Sequence, residues 1–157
     1  MKEIRFDDID ALQNEISEEF WDWGPTRIIS QEDVNTFADI TGDHQWIHID
    51  VERCEKESPF GGPIVHGFFT LSLLAGLSSP SPFQLVGFGN ATNYGADKLR
   101  FLNPVPCGSE VHIRRRLVKA EARKYGTLMV NESEIGIVGV ERPALIYQGL
   151  TLFHPPQ

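Results

Sequence analysis

Cysteine is scarce: Cys54 and Cys107 are the two present in 157 residues, and no Cys-x-x-Cys occurs. That excludes a disulfide framework and a dithiol redox motif, and leaves two plain thiols of the kind expected in a reducing compartment. Positive charge is in the minority, with 14 Lys and Arg against 22 Asp and Glu and a net charge of −8. This excludes non-specific nucleic-acid binding. No apolar run approaches the ~20 residues that span a bilayer. The opening residues, Met1 to Asp8, are charged and have no apolar leader region. Three chemical signatures are also missing: the Gly-x-x-x-x-Gly-Lys loop, a strand-linked Gly-x-Gly-x-x-Gly and the Gly-x-Ser-x-Gly elbow. The expectation is a soluble, cytoplasmic protein with neither a membrane nor a nucleic-acid partner.

What is present is ordinary globular composition, 41% hydrophobic and 23% charged, at the length of one domain. Residues 1–23 read as an N-terminal helical extension: Ile9, Leu12 and Ile16 recur at spacings of three and four, predicting an amphipathic helix from Phe6 to Phe20. Gly24-Pro25 ends it, and Thr26 to Ile29 reads as a short strand. Ser30 caps the next helix with Asp33 in the capping-box position, and Gly42 stops it. Val51 to Glu57 is a short polar helix. His66 to Leu77 is apolar nearly all round, which predicts a buried central helix. Five strands follow: Leu85–Phe88, Ala91–Phe101, Glu110–Glu121, Thr127–Ile137 and Ala144–Phe153, with Lys124-Tyr125-Gly126 as a hairpin. Helices first and antiparallel strands second make the class α+β.

Two segments carry the chemistry. Asp43 and His48 stand five apart, just beyond Gly42. On a helix that spacing separates side chains by about 140°, and on a strand it puts them on opposite faces. Only a loop folding back brings an acid and an imidazole together there, as proton transfer near neutral pH requires. The alternative is an Asp capping its own loop beside a structural His. His44 and His48 have metal-like i, i+4 spacing, but Gln45 occupies the place of the metalloprotease Glu and the pair follows a helix terminator, so no metal is expected. The second segment ends at His66-Gly67, where the apolar helix starts. An N–H without an intrahelical partner and without a side chain in the way can polarise a carbonyl. Equally, Gly61, Gly62 and Gly67 can serve tight turns alone. His66 reads as structural or as a wall of the site.

Gly42-Asp43-x-x-x-x-His48, Phe60-Gly61-Gly62-Pro63-Ile64-Val65-His66-Gly67-Phe68-x-Thr70-Leu71-Ser72-Leu73, Asn93-Tyr94-Gly95-x-Asp97-Lys98-x-Arg100-Phe101 and Pro104-Val105-Pro106-x-Gly108-Ser109 together resemble the MaoC-like dehydratases, most closely their nodulation-protein-N branch. The resemblance runs in order from Ile28 to Phe153. It implies that residues 24–157 form a hot-dog domain, a curved antiparallel sheet wrapped around a long central helix, and that two such chains pair edge to edge as a homodimer. It implies (R)-specific hydration of trans-2-enoyl-CoA, and the reverse dehydration, with no metal or redox cofactor. It assigns Asp43 and His48 to catalysis and the Gly67 N–H to the oxyanion hole. Gln45, Trp46, His66 and Asn93 become candidate contacts to the acyl-CoA thioester, with Gln45-Trp46 standing where Asn-Pro is common in the family. Lys98, Arg100 and the Arg114–Arg116 run are candidates for the CoA phosphates. A hot-dog thioesterase and a non-catalytic acyl-CoA binding module are the two alternatives.

Overall fold

Ser30 opens the longest helix of the chain. In the computed structural model, which describes residues 1–157, its hydroxyl accepts from Asp33 N–H while the Asp33 carboxylate accepts from Ser30 N–H. This reciprocal cap starts α2 (Gln31–Thr41). Gly42 ends α2 in the left-handed conformation, φ 79°, which a residue with a Cβ resists. Val34 and Ala38 form its buried face. Two short helices follow, α3 (Trp46–Ile49) and α4 (Val51–Glu57), the latter capped by the Asp50 carboxylate.

The apolar segment beginning at His66 is shorter as a helix than its pattern suggests. It forms α5 (Gly67–Ser72), then a 3-10 turn, Leu73–Ala75. Thr70 and Leu73 are buried, but Phe68 is 69% exposed. The helix therefore packs one face on the sheet and leaves the other uncovered in a single chain. Its end is fixed from outside, because the Arg115 guanidinium donates to the Leu74 and Leu77 carbonyls at 2.7 and 3.0 Å. Those carbonyls have no helical partner to accept from.

The sheet comprises β2 (Arg27–Ile28), β4 (Asn90–Phe101), β5 (Glu110–Arg123), β6 (Gly126–Ile137) and β7 (Leu145–His154) in the antiparallel order β2-β5-β6-β7-β4. Its register slips by one residue between Leu117 and Lys119 on β5, and twice on β4, between Asn93 and Gly95 and between Ala96 and Lys98. Such bulges bend the strand that carries them, and here they curl the sheet around α5. Ile29, Val65, Val111, Ile113, Ile135 and Leu145 form the main core between sheet and helix. Each such side chain contributes about 1.5–3 kcal/mol on burial.

The N-terminal segment is less helical than its periodicity predicts. It begins with β1 (Lys2–Arg5), paired in parallel with β3 (Phe83–Val86). Helix α1 covers Ile9–Gln13 alone. Beyond it the chain straightens along β5, where Ser17, Trp21 and Gly24 donate to the carbonyls of Leu117, Arg115 and Ile113. Ile16, the last residue of the predicted apolar stripe, is 42% exposed. The backbone bonds to β5 replace further helical turns. Ile4, Leu12, Phe83, Leu117, Ala120 and Met129 make a second core under this segment.

Candidate active site

Asp43 begins an irregular stretch directly after the Gly42 cap, and His48 sits on the single helical turn of α3. The Asp43 carboxylate is solvent-accessible, whereas His48 is 6% exposed. His66 is 2% exposed and precedes the first residue of α5. One side-chain ligand atom each from Asp43, His48 and His66 lie within 4.8 Å of one another. The acid and the imidazole thus come together, His48 from a helical turn and not from the irregular loop expected, and a second imidazole joins them.

Both rings are held by backbone carbonyls. His48 Nδ1 is 2.7 Å from Ile64 O, and His66 Nε2 is 2.9 Å from Asp43 O. A carbonyl can only accept, so each of these nitrogens carries the proton. His48 Nε2 is left free to take one. The two rings stack with centroids 3.9 Å apart, and Phe37 of α2 packs on His66 at 5.1 Å. Burial lowers the proton affinity of His48 below the ordinary imidazole value of 6.5. The bond to Ile64 opposes this, the neighbouring His66 adds to it, and Asp43 opposes it.

His48 and Gly67 line one cavity of about 250 Å³, together with Thr70, Phe101, Asn103 and Val105. Gly67 has no side chain to block its N–H. A Cβ there would meet the Phe101 ring at 3.1 Å. Thr70 was not singled out from the sequence; it stands one helical turn beyond Gly67, and that i+3 spacing is the signal that could have found it. Phe101 and Asn103 carried no such signal, since the turn between β4 and β5 brings them in.

The other expected contacts are dispersed. Gln45 is exposed at the start of α3, and Trp46 lies under the Arg53 guanidinium at 4.1 Å; neither lines the His48 cavity. Asn93 faces a separate cavity of about 500 Å³ beside Arg115, Ser133 and Tyr147. The Arg114–Arg116 run is no phosphate rim, because the fold consumes all three side chains. Arg114 pairs with Glu134 at 2.7 Å, Arg115 caps the central helix, and Arg116 pairs with Glu132 and Glu18, each at 2.8 Å. The Phe20 ring lies under the Arg114 and Arg116 guanidinium groups, and the Trp23 ring under that of Arg114. Lys98 reaches Glu132 only at 4.0 Å, and Arg100 stays on the exposed surface.

Asp43, His48 and His66 have the donor types of a metal site, whereas His44 turns away to Asp39 at 2.9 Å. Burial pushes the Cys107 thiol up to about 11, and Cys54 is also raised by burial. Neither is a thiolate nucleophile at neutral pH.

The sequence match decides the family. Residues 13–136 match the MaoC like domain. The chain belongs to the MaoC-like family. Among its relatives, the 3-hydroxyacyl-thioester dehydratase Z of Mycobacterium tuberculosis is 43% identical over 126 residues, 80% of this chain and 82% of that protein. Nodulation protein N of Rhizobium meliloti is 40% identical over 149 residues, 92% of this MaoC-like chain and 88% of that protein. In fold the MaoC-like chain is similar to a monoamine oxidase regulatory protein from Archaeoglobus, with a TM-score of 0.75 at 24% identity over 100% of this chain and 98% of the other. It is also similar to the (R)-hydratase of A. caviae involved in PHA biosynthesis, with a TM-score of 0.67 at 22% identity, covering 87% and 97%. The curled antiparallel sheet around α5 is the hot-dog fold these structures share. No helix is long and apolar enough to cross a membrane.

Proposed function

We propose that this chain is a hydro-lyase that adds water to trans-2-enoyl-CoA thioesters to give (R)-3-hydroxyacyl-CoA, and catalyses the reverse dehydration. The observation that carries this reading is the convergence of Asp43 on His48, with His48 in turn lining one cavity with Gly67. The names of its relatives, a 3-hydroxyacyl-thioester dehydratase and an (R)-hydratase, point the same way.

In the hydration direction, Asp43 and His48 hold a water against C3. As its oxygen bonds to C3, one of the pair takes a water proton, and the C2=C3 electron pair moves to the thioester oxygen. The Gly67 N–H stabilises that oxygen, a contribution typically of about 3–4 kcal/mol. The enolate then collapses and C2 takes a proton from the same pair. His48 Nε2 suits the role of base, since its other nitrogen is committed to Ile64.

The same reading makes the chain a homodimer joined through β4. That strand is twelve residues long, stands at the sheet edge and is exposed along nearly its whole length. An uncovered edge of that length invites pairing, and size-exclusion chromatography with light scattering tests it. For the activity, purified protein is mixed with crotonyl-CoA and longer trans-2-enoyl-CoAs. Expected are loss of enoyl absorbance and an (R)-configured product. No loss at any chain length overturns the reading, and release of free CoA thiol in its place makes the protein a thioesterase.

A further inference from the structure

The inner face of the sheet changes character along its length. Toward Val111, Ile113, Ile135 and Leu145 it is apolar and forms the main core. Beyond them the same face turns polar. The register sets Arg115 across from Ser133 and Ser133 across from Tyr147, with Asn131, Thr151 and Asn93 on the rows that follow. All six wall the cavity of about 500 Å³ that also meets Leu71 and Leu74. Tyr147 donates to the Gly95 carbonyl at 3.3 Å. The amides of Asn93 and Asn131 and the hydroxyls of Ser133 and Thr151 make no hydrogen bond within the chain and are left to the cavity.

Arg115 is the one charged residue of this wall. Its neighbours Arg114 and Arg116 each pair with a glutamate. Arg115 has no such partner: burial lowers the proton affinity of its guanidinium, and no carboxylate raises it. Both of its bonds, to the Leu74 and Leu77 carbonyls, leave from Nη2. Capping the helix therefore takes up one nitrogen of three, and the dipole of so short a helix offsets only part of the charge. Nε and Nη1 bond to nothing in the chain and are not sealed from solvent. A partly buried cation without a counter-ion carries a desolvation cost that a bound anion relieves.

We infer that this cavity is a subsite for a carboxylate borne on an aliphatic chain. The free N–H groups of Arg115 meet the carboxylate, and the Ser133 hydroxyl, directly across the strands, donates beside them. One guanidinium with no second cation in the wall suits a singly charged carboxylate, and Leu71, Leu74 and Phe153 give its chain an apolar surface. Gly67 and Leu74 stand on one face of the helical segment, roughly 11 Å apart along its axis. An acyl chain with its thioester at the Gly67 N–H, following that face, brings its far end to Arg115. This source of the carboxylate rests on the hydratase reading above, and makes enoyl thioesters with a terminal carboxylate the preferred substrate class. A free carboxylic acid is the other source of the same chemistry.

Two substitutions at one position test the site while keeping the Arg115 cap of the helix. Ser133→Asp places the chain's own carboxylate across from Arg115, where it competes with the ligand. Ser133→Asn adds the same bulk without the charge. The first measurement compares trans-2-enoyl-CoAs of equal length that end in a carboxylate or in a methyl group. Expected is a preference for the carboxylate of roughly 10–100-fold in kcat/KM, kept in Ser133→Asn and lost in Ser133→Asp. The second is calorimetric titration of the full chain with hexanoate, with hexanol as the neutral control. Expected is binding of hexanoate alone, to the wild type and Ser133→Asn but not to Ser133→Asp. A preference in the first measurement puts the carboxylate on the substrate; hexanoate binding without it makes the ligand a separate acid. Neither preference nor binding overturns the inference, as does equal loss in the two variants. A wild type inactive on every enoyl-CoA overturns the hydratase reading instead, and the hexanoate titration then decides the subsite by itself.

Discussion

His48 and His66 lie face to face, their ring centroids 3.9 Å apart and their planes 27° from parallel. Two imidazolium ions at that distance, both buried, would repel strongly. Burial and the neighbouring ring both oppose charging His48, which lowers its proton affinity below 6.5 in the folded state. The unfolded chain then binds more protons as pH falls below about 6.5, so stability declines from there down to the folded-state value and then levels off. The acidic limb of kcat/KM, if it reports His48, lies below 6.5. A limb above 6.5 in the wild type contradicts this. The measurements are a pH–rate profile and thermal melts across the same range.

Asp43→Asn and His48→Asn should each lower hydration by about 10²–10⁴-fold, the usual contribution of a positioned acid or base. Neither should unfold the protein. The Asp43 carboxylate is exposed and makes only a long 3.4 Å contact to Gln45 N. Asn at position 48 keeps a donor near Nδ1 for the Ile64 carbonyl. Steady-state kinetics with circular dichroism check both, and full activity in either variant removes that residue from the mechanism.

Gly67 allows the oxyanion role to be tested by deletion of a single N–H. It is the first residue of α5, where proline is tolerated, and His66 before it is extended, with φ −56° and ψ 138°. Gly67→Ala keeps the N–H but must push the Phe101 ring, 3.1 Å from the new Cβ. Gly67→Pro also removes the donor. The expectation is a modest loss for Ala and a further loss of about 10²–10³-fold in kcat for Pro. Equal activity of the two variants contradicts an oxyanion role for this N–H.

Arg116 should matter for stability and not for substrate. Its guanidinium meets Glu132, whose side chain is 8% exposed. Burial pushes the Glu132 carboxyl up, but hydrogen bonds from Gln148 and Arg116 outweigh it and hold the group below its ordinary value. Arg116→Met strands that carboxylate, at a cost of about 3 kcal/mol. Thermal melting should show the loss, with KM for acyl-CoA unchanged in the folded protein. A raised KM would return the arginines to the substrate rim.

Local chemistry made much of this legible from sequence. The Ser30–Asp33 box and Gly42 set α2, α4 spans Val51–Glu57 as its pattern predicts, and the four long strands fall within a few residues of their expected ends. Gly42 left Asp43 in an irregular stretch as expected, and Asp43 and His48 do meet, although His48 does so from the helical turn α3. What escaped depends on distant partners. Lys2–Arg5 has no alternation to mark it as a strand, and it is one because Phe83–Val86 lies beside it. Charge alone could not tell that three adjacent arginines face Glu134, two helix-end carbonyls and Glu132. Nor does any spacing place His66 on His48, since the bond to Ile64 and the bond to Asp43 together create that stack.

The parallel pairing of β1 with β3 has a consequence for the order in which the chain can assemble. Residues 2–5 cannot find their neighbours until residue 86 has left the ribosome, and β2 waits longer still for Val111. Closing such long loops is slow relative to local hairpins. The sheet made by β4 to β7 is joined through shorter connections, so it is expected to form first and to receive the N-terminal segment afterwards. Pulse-labelled hydrogen exchange during refolding should therefore show the amides of β6 protected before that of Phe6, which bonds to Val86 O at 2.9 Å.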